Sequence, residues 1–311
     1  MTAWLRLIRW QNLLIILFTQ LLAWWCLVAP VYPLVLDFPA LLMLSFSTVL
    51  VAAAGYIIND YFDVKIDQIN HPDRVVLGRQ IPRKSAIIAH TVLNIIAIAL
   101  AAMVALPAGH PEWLLLQLGC TGLLWFYSTT YKRRYMSGNI IVAALTALTV
   151  LALYIYEPRL QQAALTRLLH HDSAGAVSSL PVWILGVYTF FAFMLTWIRE
   201  IVKDMEDMEG DAADGCVTMP ISRGLGYAAR FATVLGALAL LPLLASGGVL
   251  LQYGYLLPGL YVLFLLALPL VAWMVYLWRG EAGPAHYHTA STMLKVIMLL
   301  GICLLIVYKF S

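Results

Sequence analysis

Charged residues are scarce in this chain: Asp, Glu, Lys and Arg together make up only 11% of its 311 residues. A soluble domain carries about a quarter charged residues, so the composition excludes an ordinary soluble fold. Hydrophobic residues reach 62%, and the mean hydropathy is +0.86. The net charge of +3, without a basic tract, gives no support for nucleic-acid binding. The composition predicts an integral membrane protein, which we assign to the cell inner membrane.

Cysteine is also scarce, and its four positions are scattered along the chain, at Cys26, Cys120, Cys216 and Cys303. No CxxC pair or other metal-ligand spacing occurs among them, which excludes a cysteine-based metal site. The first apolar stretch has no small-residue cleavage site and is long enough to span a bilayer. We therefore expect it to be a retained helix and not a signal peptide.

Long apolar segments make up most of the chain, and each is long enough to cross a hydrocarbon core of about 30 Å. We predict an all-α polytopic membrane protein with nine transmembrane helices, which forms a single domain over residues 1–311. The predicted spans lie at about 11–31, 39–58, 86–106, 112–129, 138–156, 180–199, 228–247, 253–277 and 291–309.

The connections between the predicted spans hold most of the polar residues. The 157–179 connection is predicted to contain a short amphipathic helix. Glu157 and Arg159 are assigned to the membrane interface at its start. His286 and His288 are assigned to the loop before the last span.

Basic residues are distributed unevenly over the two sides of the predicted membrane. If the N-terminal side is called the inside, Arg159, Arg167 and Lys309 fall outside, whereas nearly all other Lys and Arg residues fall inside. Cytoplasmic loops carry an excess of Lys and Arg in membrane proteins. The pattern predicts a cytoplasmic N-terminus and an external C-terminus.

Acidic residues form two clusters that share one spacing, after the second and the sixth predicted spans. The spacing is 0, 3, 7 in each cluster, and the six residues are Asp60, Asp63 and Asp67, and Asp204, Asp207 and Asp211. On a helix such positions fall within about 60° of one another, so each trio is expected to form one stripe. Like charges in a stripe repel, at greater cost near lipid, and have to be neutralised.

Divalent cations are the simplest means of neutralising these acids, because oxygen ligands suit Mg²⁺ or Ca²⁺. Basic residues near both clusters indicate that an anion binds as well. They are Arg74, Arg83, Lys132, Arg133, Arg199 and Lys203. Carboxylates, a metal and basic side chains together predict a diphosphate-binding site.

Other interpretations of the acidic clusters remain open at this point. Single acids and bases in cytosolic loops are usually solvated, but two copies of one spacing argue against that interpretation here. A cation transporter belongs to a different functional class, yet transporters place ionisable groups near the membrane midplane. A metal-regulated scaffold has no need for the surrounding bases.

The first cluster, NDYFDVKID from Asn59 to Asp67, resembles the NDxxDxxxD motif of the UbiA family of intramembrane prenyltransferases. DMEGD, from Asp207 to Asp211, resembles the second motif of that family, DxxxD. Further similar segments are NHPDR, YSTTYKRRYMSGN, RWQN and GCVTMP. The resemblance covers nearly the whole chain. One departure is NHPDRVV, because many members have a proline after the arginine.

The resemblance implies nine helices around a central cavity with a cytoplasmic cap, where two Mg²⁺ ions hold the diphosphate of a prenyl donor. It implies metal ligands, direct or through water, at Asn59, Asp63, Asp67, Asp207 and Asp211. Asp60 and Asp204 are implied as supporting catalytic residues. Diphosphate-contacting positions are implied at Arg74, Tyr127, Lys132, Arg133, Arg199 and Lys203.

The identity of the lipophilic acceptor follows less directly from the motifs. REIVKDMEDMEGD is most similar to the branch of the family that joins geranylgeranyl to geranylgeranylglyceryl phosphate and gives an ether lipid. Other branches prenylate an aromatic quinone precursor, such as 4-hydroxybenzoate, or a chlorophyll-type carboxylate. These acceptors stay open as alternatives, and membrane lipids are the expected surroundings.

Overall fold

The computed structural model describes residues 2–31, 34–70, 72–73, 75–169, 180–279 and 283–311, and this part of the chain is almost entirely helical. A π-helical turn at Trp24–Val28 extends α2, and another at Val262–Ala267 joins α12 to α13. The helices are α1 (Thr2–Leu7), α2 (Trp10–Ala23), α3 (Phe38–Asn70), α4 (Arg83–Ala105), α5 (Leu114–Thr129), α6 (Ser137–Ile155), α7 (Pro158–Leu169), α8 (Leu180–Glu206), α9 (Met208–Ala213), α10 (Met219–Arg223), α11 (Leu225–Gln252), α12 (Leu256–Tyr261), α13 (Leu268–Arg279) and α14 (Pro284–Lys309).

Within the described ranges, eight helical segments are long and apolar enough to cross a membrane. Each overlaps one of the nine predicted spans. The predicted fourth span, 112–129, corresponds to α5, which has 16 residues and is shorter than the roughly 20 residues of a typical span. The eight segments are Trp10–Val28, Phe38–Asn70, Arg83–Ala105, Ser137–Ile155, Leu180–Glu206, Leu225–Gln252, Leu256–Arg279 and Pro284–Lys309.

The connections agree only in part with the expectations of the sequence. The second span continues as a helix to Asn70, because the acidic segment that follows the apolar run is itself helical. His286 and His288 belong to the first turns of α14 and not to a loop. The amphipathic helix expected after Glu157 is present as α7.

The chain divides into two compact units, each of them discontinuous in sequence. The first unit comprises Met1–Tyr131 and Ala147–Thr189, and the second comprises Lys132–Thr146 and Phe190–Ser311. We call them the first and the second unit. Each contains one of the two acidic motifs, because Asp63 belongs to the first unit and Asp207 to the second.

In the first unit, α3 packs against α2, α4 and α5, and polar side chains join the helices inside an apolar environment. The fully buried Gln20 donates from Nε2 to the carbonyl of Thr149 at 2.8 Å and to Oγ1 of Thr48 at 3.2 Å. Tyr156 donates its hydroxyl to Oε1 of Gln117 at 2.8 Å. Such hydrogen bonds hold membrane helices together where apolar contact alone gives little specificity.

Glu157 is fully buried, although the sequence placed it at a membrane interface. Its Oε2 accepts hydrogen bonds from the backbone N–H groups of Val35 and Leu36, at 3.0 and 2.9 Å. Its Oε1 accepts a bond from the N–H of Arg159 at 3.1 Å. The sequence did not predict this burial, in which the carboxylate accepts from backbone donors of a loop that lies more than a hundred residues earlier.

A close approach between α3 and α5 depends on Gly55, four residues before the first acidic motif. A Cβ atom there would lie 2.9 Å from both methyl carbons of Leu124. We expect Gly55→Val to lower the unfolding free energy by about 1–3 kcal/mol through overpacking. Thermal unfolding in detergent measures the effect. Gly122→Val on α5 is the matched control, because nothing lies within 4 Å of its Cβ position, and an equal loss in both variants would contradict the explanation.

The second unit has its core between α8, α11, α13 and α14. Trp273 is fully buried there and donates its indole N–H to the carbonyl of Ala290 at 3.1 Å. Glu206 at the end of α8 contacts His288 on α14, with 2.8 Å between Oε1 and Nδ1. The last turn of α8 is thereby fixed against the first turns of α14.

Candidate active site

The first acidic motif occupies the last turns of α3, so its helical stripe is confirmed. Asn59 donates from Nδ2 to Oδ2 of Asp63 at 2.6 Å, and Asp63 is only 4% exposed. Asp67 lies one turn further and is half-buried. The negative end of a helix dipole disfavours acids at a helix C-terminus. The arrangement therefore favours a cation at these side chains.

Asp60, the second acid of the motif, is paired with an arginine that precedes α2. Nη2 of Arg9 lies 2.9 Å from Oδ1 of Asp60, and its guanidinium lies over the ring of Tyr56, 4.9 Å from the centroid. Arg9 has φ 52°, a left-handed conformation that is uncommon for a residue other than glycine. This conformation breaks the chain between α1 and α2 and directs Arg9 at the motif. The sequence did not predict this pairing.

The Arg9–Asp60 pair gives a testable coupling. We expect Arg9→Gln and Asp60→Asn each to lower the rate of the prenyl transfer that the motif resemblance implies, and the double variant to lose little more than either single one. Contacting residues show coupling energies of about 0.5–3 kcal/mol, because removing one partner already removes the interaction. Initial rates of the four proteins measure it. Strictly multiplicative losses would contradict a shared role.

The loop after α3 turns back over the motif. A small pocket is formed there by Asp60, Val64, Asp67, Val75, Val76 and Leu77. Leu77 and Ile81 pack into an apolar cluster with Ile57, and Gly78 has φ +80° in the turn between them. Arg83 donates to the carbonyl of Tyr61 at 3.1 Å. Arg74, a predicted diphosphate contact, lies outside the described residues.

The second motif is not a single helical stripe, contrary to the prediction. α8 ends at Glu206 and α9 begins at Met208, with Asp207 between them at φ −95°, ψ 8°. The backbone hydrogen bonds nevertheless continue, from Asp207 N to Lys203 O at 2.8 Å and from Asp211 N to Asp207 O at 3.1 Å. The bend at Asp207 changes the direction of the acids that follow it.

The surroundings of the second motif hold its acids in place. Asp204 accepts a hydrogen bond from Nδ2 of Asn139 at 2.9 Å, and Asp211 is 5% exposed. The backbone N–H of Cys216 donates a hydrogen bond to the carbonyl of Asp211 at 2.9 Å. Burial raises the pKa of the Cys216 thiol to about 11, and the charge of Asp211 acts in the same direction. This thiol is therefore protonated at neutral pH, which disfavours it as a nucleophile.

Three of the predicted diphosphate contacts lie at the end of α5 and in the segment that follows it. Tyr127 is on α5, and Lys132 and Arg133 form a short 3₁₀ turn after it. Within the second unit, Nη2 of Arg133 lies 2.7 Å from Oδ2 of Asp214, and the N–H of Val217 donates to the carbonyl of Arg133 at 2.8 Å. These contacts tie Arg133 to the chain that follows the second motif.

Arg199 and Lys203, the remaining predicted phosphate contacts, share one carboxylate. Nη1 of Arg199 lies 3.0 Å from Oε1 of Glu200, and Nζ of Lys203 lies 3.4 Å from its Oε2. Sequence reasoning missed Glu200, and it also missed Arg9, Asn139 and Asp214. All four fall inside or beside the segments that resemble family motifs, and this position in the sequence was the signal that could have identified them as site residues.

Metal binding by this chain alone would require at least three converging ligands. Among the residues that the structure describes, no group of three or more His, Cys, Asp or Glu side chains is arranged to hold a metal ion. Mg²⁺ typically takes one or two carboxylates and completes its shell with substrate phosphates and water. Each motif by itself offers oxygen-only side chains of the type that such an ion takes.

Comparison with known proteins identifies the family. The model of the UbiA prenyltransferase family matches residues 16–300. The chain belongs to the UbiA prenyltransferase family. It is therefore a membrane-embedded prenyltransferase, and the transporter interpretation is set aside.

Several relatives of this UbiA family member are named digeranylgeranylglyceryl phosphate synthase. The protein of Methanopyrus kandleri is 32% identical over 265 residues, 81% of each chain. The protein of Methanosphaera stadtmanae is 28% identical over 260 residues, 83% of each chain. The protein of Pyrococcus abyssi is 34% identical over 189 residues, which are 61% of this chain and 58% of the relative. That last match thus spans less than two thirds of the relative.

Solved structures of the family share the fold. One described as digeranylgeranylglyceryl phosphate synthase in membranes aligns over 99% of this chain and 98% of its own, with a TM-score of 0.66 and 25% identity. A UbiA homolog from Archaeoglobus fulgidus bound to GPP and Mg²⁺ aligns over 97% and 99%, with a TM-score of 0.58 and 14% identity. The second similarity concerns the fold alone.

Proposed function

We propose that this protein transfers a geranylgeranyl group from geranylgeranyl diphosphate to the hydroxyl group of geranylgeranylglyceryl phosphate, and thereby makes an ether lipid. The proposal is supported by the names of the relatives that align over four fifths of the chain. Arg199 and Lys203 also support it, because an acceptor that carries its own phosphate needs cations beyond those of the diphosphate site.

The observation that carries this proposal is the pair of acidic motifs whose buried carboxylates, Asp63 and Asp211, lie near the ends of apolar helices. A buried carboxylate is costly unless it is hydrogen-bonded and compensated by charge. We propose that two Mg²⁺ ions provide that compensation together with the donor diphosphate. The proposed ligands are Asn59, Asp63, Asp67, Asp207 and Asp211.

The remaining polar residues have supporting roles in the proposal. Arg9 holds Asp60 at 2.9 Å, and Asn139 holds Asp204 at 2.9 Å, so these two acids position the motif helices. Cations and a hydroxyl group near the motifs contact the oxygens of the diphosphate. They are Arg74, Tyr127, Lys132 and Arg133.

Prenyl transfer breaks the bond between C1 of the prenyl chain and the diphosphate oxygen, and the electron pair leaves with the diphosphate. Bound Mg²⁺ stabilises the charge that develops on this leaving group. The acceptor oxygen forms the new bond to C1, and its proton is released to the diphosphate or to solvent. The apolar helices exclude water, which would otherwise compete for the allylic cation.

We also propose nine membrane crossings within one functional domain, residues 1–311, with α5 as the short fourth span. The N-terminus and both motifs then face the cytoplasm and the C-terminus faces outside, in keeping with the distribution of Lys and Arg. Labelling of a Ser311→Cys variant in intact cells with a membrane-impermeant maleimide tests this orientation. Labelling only after the cells are opened would overturn it.

The deciding experiment supplies the purified protein with geranylgeranyl diphosphate, Mg²⁺ and one acceptor at a time. Geranylgeranylglyceryl phosphate and 4-hydroxybenzoate are the two acceptors, and product mass and released diphosphate are measured. We expect ether product with the first acceptor only, and none after chelation of the metal. Product with the aromatic acid alone would preserve the reaction type and overturn the acceptor.

A further inference from the structure

Two helices of the second unit bring basic side chains to one level. The C-terminal end of α8 lies next to the N-terminal end of α14, where Glu206 contacts His288. Both helices line the apolar core of the second unit, so they run side by side in opposite directions. Arg199 precedes Glu206 by seven residues, and Lys295 follows His288 by seven residues. Seven residues are two helical turns, about 10 Å of rise, and return to nearly the same face. Arg199 and Lys295 therefore face each other across the two helices.

Electrostatics and hydrogen bonding agree with that register. The positive charges of Arg199 and Lys295 act on each other. Nε of Arg199 is buried and has no hydrogen-bond acceptor among the described residues. Lys203 lies one turn from Arg199, and Glu200 contacts both of them. A buried donor without an acceptor is costly, so this cluster is built to receive an anion.

The position of the cluster separates it from the acids of the second motif. Arg199 lies eight residues before Asp207, which corresponds to about 12 Å along the helix. A diphosphate held through metal ions at Asp207 and Asp211 occupies the other end of that interval. That interval is long enough for the anion received by Arg199 and Lys295 to be a different group from the leaving group.

We propose that Arg199, Lys203 and Lys295 form a subsite for a phosphate group carried by a lipid, namely the phosphate of the acceptor. This inference rests on the proposed function, because only a phosphorylated acceptor supplies such a group. Glu200 positions the two cations on α8, and Lys295 supplies the third from α14. The subsite sets the position of the acceptor and distinguishes a lipid phosphate from an uncharged lipid alcohol.

The test compares Lys295→Gln with the wild type in detergent. We expect the KM for geranylgeranylglyceryl phosphate to rise about thirtyfold or more, because the variant removes one partner of a desolvated ionic contact. The KM for geranylgeranyl diphosphate should stay within about twofold. Equilibrium binding of the radiolabelled acceptor, without donor or metal, should weaken in parallel. Lys295→Arg should restore most of the affinity.

Two controls make the outcomes separable. Lys84→Gln removes an exposed lysine from the start of α4 and should change neither KM. Retention of phosphatidylglycerol during purification reports a phospholipid headgroup at the cluster. If Lys295→Gln loses that retention while the acceptor KM is unchanged, the subsite belongs to a membrane lipid and our assignment is wrong. Turnover with unchanged KM and unchanged lipid retention also overturns it, whereas a wild type that never uses this acceptor overturns the proposed function as well.

Discussion

Alanine in place of Asp63 will reduce prenyl transfer by a factor of about 10² to 10³, the range seen when one preorganised contact to a developing charge is removed. Asp63 is 4% exposed and accepts the amide of Asn59, so its carboxylate is fixed before substrate binds. Initial rates over a Mg²⁺ titration measure the effect. Saturating Mg²⁺ should not rescue the variant, because the ligand itself is missing.

A matched control for Asp63 exists in the following loop. Asp73 is an exposed acid ten residues later, and Asp73→Ala should keep nearly the full rate. Asp63→Ala should also unfold at a temperature close to that of the wild type, because it relieves repulsion within the acidic stripe. More than half of the wild-type rate in Asp63→Ala, at any Mg²⁺ concentration, would remove this residue from the proposed metal site.

Leucine in place of Glu157 will have the largest effect on stability. The substitution leaves the backbone N–H groups of Val35, Leu36 and Arg159 without the acceptor that they have now. Each buried donor without a partner costs about 1–3 kcal/mol, so the total approaches the whole stability of a marginal fold. Thermal unfolding and the yield of monodisperse protein in detergent measure the loss.

Two further variants separate hydrogen bonding from charge at this position. Glu157→Gln keeps an acceptor oxygen on a side chain of the same length. It should therefore lower the unfolding temperature distinctly less than Glu157→Leu. Glu112→Leu replaces an acid whose side chain is 59% exposed, and it should change the unfolding temperature little. A stable Glu157→Leu protein would mean that water reaches the loop and that the carboxylate is dispensable.

Much of the fold could be predicted from the sequence, because long apolar runs have few alternatives in a membrane. The positions of the spans and the helical stripe of Asp60, Asp63 and Asp67 follow from hydropathy and spacing. The bend at Asp207 could not be predicted in this way, because its backbone conformation is set by contacts and not by residue type. The 0, 3, 7 spacing indicated one helix where there are two.

The partners of charged residues were the least predictable part of the candidate site. Arg9 and Asp60 are 51 residues apart, and Asn139 and Asp204 are 65 apart. No local pattern connects such positions, so the acids were found and the residues that hold them were missed. The burial of Glu157 was missed for the same reason, because a single acid at the end of an apolar run is normally solvated at an interface.

The hydrogen bonds of Glu157 also constrain the order of events during synthesis. Its acceptor oxygens come 121 and 122 residues after the N–H groups of Leu36 and Val35. At about 5–20 residues per second the ribosome needs roughly 6–24 s to make that stretch. The hydrogen bond from Gln20 to Thr149 likewise forms only after a further 129 residues have been synthesised. The first helices therefore remain incompletely packed in the nascent chain until α6 has been inserted, and a fragment that ends at residue 131 lacks both of these closing contacts.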